Sequence, residues 1–115
     1  MSEVDNLALE VTLKNSEDTP LLELTGRIVD ADVKKFQRRI EQLYKTKHQQ
    51  IVVDVSHATF MDIHGLGTIV YYHTLMQKEK RVLVILNANP DRASYLNRLF
   101  ELTNLDKVLK IVQHL

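Results

Sequence analysis

The sequence predicts an α/β fold: a mixed β-sheet that opens with an antiparallel hairpin and continues through helices in the order β-β-α-β-α-β-α-β. Three observations predict it. Two alternating apolar runs lie close together near the start. Three later stretches place apolar residues at helical spacing. The strands between those stretches are short and continuously apolar. Helices alternating with such strands imply parallel pairing and right-handed crossovers, with the hairpin at one side.

Leu7, Leu9, Val11 and Leu13 alternate with polar residues, as a strand with one buried face does. Residues 15–20 (NSEDTP) are a turn by composition. Leu22 and Leu24 then resume the alternation, and Thr25-Gly26 closes the second strand. Val33, Phe36, Ile40, Leu43 and Tyr44 make one 3.6-residue stripe, so a helix follows. Asp30 or Asp32 is its expected N-cap, and it ends over residues 45–48, where bases suit the negative end. Residues 51–55 form a β-branched strand buried on both faces, followed by a turn. Residues 66–77 read as the second helix, with Leu66, Ile69, Val70, His73 and Met76 on one side. Residues 82–86 are another apolar strand. Residues 87–90 (NANP) turn the chain, and Pro90 is placed to start a third helix whose inward face is Ala93, Leu96, Leu99, Phe100 and Thr103. Residues 108–112 supply the last strand.

The chain has 115 residues, which suits one domain with a core that needs no staples. Fifteen bases balance fifteen acids, so net charge gives no argument for nucleic acid or an anionic membrane. The distribution is uneven: residues 1–30 are acidic and residues 31–50 basic, and at helical spacing those bases read as a solvated helix face. There is no cysteine, which excludes disulfides, thiolate metal sites and a cysteine nucleophile. The start, MSEVDNLALEV, has no signal-peptide core, and no apolar run approaches the ~20 residues of a membrane span. The expectation is a soluble cytoplasmic protein, one domain over residues 1–115.

The most chemical stretch is residues 52–67, VVDVSHATFMDIHGLG. Asp62 and His64 suggest an orienter–base pair, but no serine or cysteine stands at a nucleophile elbow, and residues two apart at a helix start diverge. Asp62 is therefore expected to be an N-cap and His64 an exposed first-turn residue, with no catalytic residue. His57 and His64 lack the partners of a metal site, and His73 belongs to an apolar stripe. Gly65-Leu66-Gly67 lacks the lysine of a phosphate loop, so no cofactor is expected, although weak anion or nucleotide binding at this helix N-terminus stays open. Gly65 costs helix stability; either a backbone docks close to it or the turn packs tightly there.

Asp54-Val55-Ser56 followed by Phe60-Met61-Asp62-x-x-Gly65-Leu66-Gly67 resembles the central motif of the STAS domain, the family of bacterial anti-sigma factor antagonists. Leu24-Thr25-Gly26, the passage from Arg98-Leu99-Phe100 to Asp106-Lys107-Val108, and the order of elements agree with it. The resemblance implies a non-enzymatic protein that binds an ATPase-type serine kinase doubling as an anti-sigma factor, and is released when a serine after the motif's aspartate is phosphorylated. Here that position is Ile63, followed by His64, and neither offers the hydroxyl that would accept a serine kinase's phosphoryl group. Ser56 and Thr59 are weak alternative acceptors. The carboxylate after Gly26 is displaced by one position in Gly26-Arg27-Ile28-Val29-Asp30. Many relatives add a helix after the last strand, and the resemblance therefore leads to the expectation of apolar surface there for a partner or a homodimer. The expected partner surface is Asp62, Ile63, His64, Gly65 and Leu66, flanked by Gly26, Arg27 and Asp30. The alternative is an accessory STAS subunit of a membrane lipid-transport or sensory complex.

Overall fold

A computed structural model describes residues 8–15, 19–91 and 94–115. Leu7, Ala93 and residues 16–18 of the first turn lie outside them. Strands β1 (Glu10–Asn15) and β2 (Pro20–Ile28) form the expected antiparallel hairpin. Helix α1 (Asp30–Lys45), strand β3 (Gln50–Met61), helix α2 (Ile63–Lys78), strand β4 (Val82–Leu86), helix α3 (Tyr95–Leu102) and strand β5 (Lys110–Val112) follow, with a 3-10 turn at Leu105–Lys107. The described strands make one sheet in the order β1-β2-β3-β4-β5, and β2 to β5 are mutually parallel.

Each parallel step moves one place in the same direction across the sheet. Right-handed crossovers then put all three helices on one face. The buried side chains agree: Leu22, Val53 and Ile85 of the sheet share one cluster with Phe36 of α1, Ile69 of α2 and Phe100 of α3. The predicted stripe of α1 is buried at Val33, Phe36, Ile40 and Leu43.

Several boundaries differ from expectation, each for a local reason. β2 runs past Gly26 to Ile28, because Gly26 takes φ 98°, which only a glycine adopts without strain, and pairing resumes beyond it. β3 does not turn after Asp54 but continues to Met61. The Asp54 carboxylate accepts the Ser56 N–H at 2.9 Å, and the β2–β3 register shifts between Glu23 and Thr25 and again between Gly26 and Arg27. The stretch that read as a turn is thus a strand bulged twice. Neither Asp30 nor Asp32 is the N-cap of α1; Val29 is, with no side-chain cap, and both acids fall in the first turn.

α2 starts three residues earlier than predicted, at Ile63, and its buried side is Gly65, Thr68, Ile69 and Met76, with Leu66, Val70 and His73 only half-buried. Pro90 does not begin α3. Asn87 and Asn89 accept the N–H groups of Asn89 and Asp91, and Asn97 donates to the Asn89 and Asp91 carbonyls, so these local bonds hold the segment non-helical. Ser94 caps the helix instead. Thr103 is exposed as its C-cap, and the last strand shortens because the Val108 and Leu109 N–H groups turn back to the Leu105 carbonyl.

All three helices end on a left-handed residue that is not glycine: Lys47 at φ 63°, Lys80 at φ 59° and Asn104 at φ 58°. Beyond α2, Arg81 is buried, its side chain 5% exposed. Its guanidinium donates to the carbonyls of His48 at 2.8 Å and Tyr44 at 3.0 Å, pairs with Glu79 at 3.1 Å, and lies 4.8 Å from the Tyr44 ring centroid. One cation therefore ties the C-terminal ends of α1 and α2.

Arg81→Met is expected to lower unfolding free energy by about 3 kcal/mol in urea titration, since it removes a donor from two part-buried carbonyls and the buried cation that pairs with Glu79. Arg81→Lys restores the charge but not the fork and is expected to fall between the two. Lys80→Gly is expected to raise stability by about 0.5–1 kcal/mol in the same assay, by relieving the left-handed backbone.

Candidate functional site

The site is built where β2 and β3 end side by side. The Asp62 N–H donates to the Ile28 carbonyl at 3.0 Å, which joins the two exits. The Asp62 side chain is the expected N-cap of α2: Oδ1 accepts the N–H groups of His64 at 3.0 Å and Gly65 at 3.1 Å. Its second oxygen does something the sequence did not announce. Oδ2 accepts the Asp30 N–H at 2.8 Å, in the first turn of α1. One carboxylate therefore caps two helices, and supplies the cap that Val29 lacks.

Partial burial pushes the Asp62 carboxyl up, but the backbone N–H groups of Asp30 and Gly65, with the His64 side chain and N–H, outweigh it and hold it below the ordinary 3.8. His64 returns toward this carboxylate rather than diverging: its Nδ1 lies 3.5 Å from Asp62 Oδ2 and 3.7 Å from Asp30 Oδ1. An exposed first-turn ring can fold back over the cap, which spacing alone does not reveal.

Ile63 is 78% exposed in the first turn of α2. Gly65 is buried, and a Cβ there would stand 2.5 Å from Ile28 Cγ2 and 3.3 Å from the Ile28 carbonyl oxygen. Of the two readings of this glycine, tight packing of α2 on the end of β2 accounts for it. Leu66 is half-buried against the core. Gly26 is buried within β2. Arg27 lies 5.0 Å over the Phe60 ring, and Phe60 stacks on Tyr95 at 4.6 Å, so Arg27 ends a short column of rings. Asp30 is exposed beside His64. Six of the eight residues thus gather at the tip joining α1 and α2; Arg27 stands to one side, and Gly26 lies beneath.

Ser56 Oγ accepts the Ala88 N–H at 2.7 Å, and Thr59 Oγ1 is buried without a hydrogen-bond partner. Among the described residues, no group of three or more His, Asp or Glu is placed to hold a metal, and no helix is long and apolar enough to cross a membrane.

The structure adds residues that sequence reasoning missed. A depression of about 380 Å³ runs along the exposed side of α2 between Ile63 and Tyr71, with Gly67 at its middle and Gln37 of α1 on its wall. Tyr71 is 58% exposed, and a Cβ on Gly67 would meet nothing within 4 Å. The i, i+4, i+8 spacing of Ile63, Gly67 and Tyr71 was the available signal. Gln37 donates to Thr68 Oγ1 at 3.1 Å, and Thr68 donates to the His64 carbonyl at 2.8 Å, which anchors the floor.

A family model for the STAS domain matches residues 10–115, and the chain belongs to that family. Its fold is similar to that of an anti-sigma factor antagonist from Mycobacterium paratuberculosis, at 18% identity and a TM-score of 0.80 over 93% of this chain and 87% of that one. A putative anti-sigma factor antagonist from Thermotoga maritima is similar at 20% identity and a TM-score of 0.71, over 88% of this chain and 84% of that one. SpoIIAA, a Bacillus cell fate determinant, is similar in its phosphorylated form at 16% identity and a TM-score of 0.66, over 90% of this chain and 91% of that one.

Asp62→Ala removes caps from two helices and is expected to cost about 2–3 kcal/mol in denaturant unfolding. Because the folded carboxyl is held low, its contribution is present above an ordinary carboxylate's range and fades as pH falls through the folded value. The stability gap between wild type and Asp62→Ala is therefore expected to narrow below about pH 4 in unfolding titrations across acid pH.

Proposed function

We propose that this chain is a non-enzymatic binding module of the anti-sigma factor antagonist type. Its partner docks on Asp62, Ile63, His64 and Asp30 and continues along α2 over Gly67 to Tyr71. The observation that carries this reading is Ile63, an aliphatic side chain standing 78% exposed on a helix start that is rigidly capped beneath it. An isolated exposed apolar residue needs no explanation, but this one opens a depression with a second exposed apolar side chain at its far end. Gly67 has no packing reason of its own, and its missing Cβ lets a partner's side chain or backbone sit between Ile63 and Tyr71. Gly65 serves the surface indirectly, by letting α2 pack closely on the end of β2, and Gly26 by carrying β2 past a positive φ to reach Ile28.

The partner is a kinase-like ATPase of the anti-sigma class, as in the family the chain resembles. Docking is constitutive rather than switched at this position. Ile63 offers no hydroxyl, the Ser56 hydroxyl is engaged by Ala88, and Thr59 Oγ1 is buried. Control then comes from the amounts of the two proteins.

Ile63→Asp places a negative charge where a phosphoserine would stand and removes an apolar contact worth about 1.5–3 kcal/mol when fully buried. Calorimetric titration against the partner recovered on the wild-type chain is expected to show affinity falling by at least about tenfold. Gly67→Ala is expected to preserve or raise stability, since nothing lies near its Cβ, while weakening binding. Unchanged affinity in both variants would sink the surface assignment. A recovered partner consisting of transporter or scaffold subunits would sink the kinase assignment alone.

A further inference from the structure

Away from the tip, α1 carries three cations whose charge is poorly answered. Lys35, Arg38 and Arg39 stand at i, i+3 and i+4, a spacing at which like charges repel. Lys35 reaches Asp32 at 3.9 Å, and Arg38 Nε donates to the Lys34 carbonyl at 3.4 Å. Among the described residues, no carboxylate pairs with either guanidinium. These side chains wall a groove of about 700 Å³ whose opposite side is the start of β1 and the residue before it; among the described residues Glu10 is the single carboxylate residue on its lining, against three cations. Side chains of α1 reach across it, since Lys35 Nζ donates to the Leu9 carbonyl at 3.4 Å.

β1 is an edge strand, so alternate residues turn their backbone N–H and C=O groups away from β2. Edge strands are usually blunted by proline, a bulge or an outward lysine. β1 (EVTLKN) has no proline and pairs with β2 without a register shift, and its one lysine, Lys14, is engaged with Glu23 at 2.9 Å. Leu13 is left exposed on it.

We infer that this groove is a docking site for an acidic, extended segment of a partner protein. The segment adds to the sheet beside β1 and turns alternate carboxylates toward Lys35, Arg38 and Arg39. The edge supplies main-chain hydrogen bonds, and the cations select the side chains. A second copy of the chain fits poorly: antiparallel pairing of two β1 strands about a two-fold axis would bring two sets of these cations together. Nucleic acid or anionic lipid would meet the cations but leave the strand edge unpaired. The groove shares no residue with the α2 tip, so it stands apart from the proposal above.

The test is titration of the full chain with a synthetic peptide alternating Glu with Val and Thr, and with its counterpart in which Lys replaces Glu. Calorimetry gives affinity, and amide hydrogen exchange gives location. The acidic peptide is expected to slow exchange at alternate amides of residues 10–15 and to bind at least about tenfold more tightly than the lysine peptide. The Arg38→Glu/Arg39→Glu double variant is expected to lose that advantage. Arg38→Gln/Arg39→Gln is expected to lose part of it, and serves if the charge reversal unfolds the chain. Binding indifferent to either double variant, or protection away from β1, overturns the inference. So does charge-dependent binding confined to phosphatidylglycerol vesicles, or protection of β1 arising only from self-association.

Discussion

The structure turns on a problem of polarity. α1 and α2 both follow strands of the same parallel sheet, so they run side by side in the same direction. Antiparallel helices cancel each other's dipoles, whereas parallel ones bring like poles together. At the N-terminal end the answer is Asp62, whose two oxygens serve one helix each. At the other end it is Arg81, whose guanidinium reaches the Tyr44 carbonyl in α1's final turn and the Glu79 side chain that follows α2. One acid and one base, at opposite ends of the same pair, join the helices to each other.

This arrangement explains local weaknesses that look like faults. α1 opens on Val29, a poor cap, because its cap arrives from residue 62. α2 carries two glycines in its first turns, yet it holds, because Asp62 fixes its start and Gly65 lets it sit against Ile28. The exposed apolar surface of the tip lies directly on this bracket, so Ile63 is presented by a rigid helix end rather than by a loop. In the proposed docking role, that rigidity lowers the ordering cost of binding.

Much of this was legible in the sequence where information is local. The hairpin, the α1 stripe of Val33, Phe36, Ile40 and Leu43, the β4 strand and the Asp62 cap all follow from neighbours within a few residues. The misses share a cause: they depend on residues distant in the chain. Asp30 and Asp62 are thirty-two positions apart, and no spacing rule joins them. Residues 56–59 are small and polar and read as a turn, but pairing with the far end of β2 keeps them in a strand. Pro90 is a sound helix-start signal that an asparagine network overrides, one of whose members, Asn97, lies in the next helix. The site followed the same division. Ile63 and His64 were named by position in a motif, and Tyr71 had its i+8 spacing from Ile63 as a signal, while Gln37 became visible only when two helices were placed together.

The double cap has a consequence for small ligands. Helix N-termini attract phosphates because their first N–H groups are unspent and each carries about half a positive charge. Here two such ends meet, and together they amount to about one positive charge, which a single carboxylate matches. The N–H groups of Asp30, His64 and Gly65 are already occupied by that carboxylate. An incoming phosphate would have to displace an internal counterion that cannot diffuse away. With the exposed Asp30 carboxylate standing beside Asp62, the tip disfavours free anions, and an aliphatic contact made there by Ile63 loses little to salt.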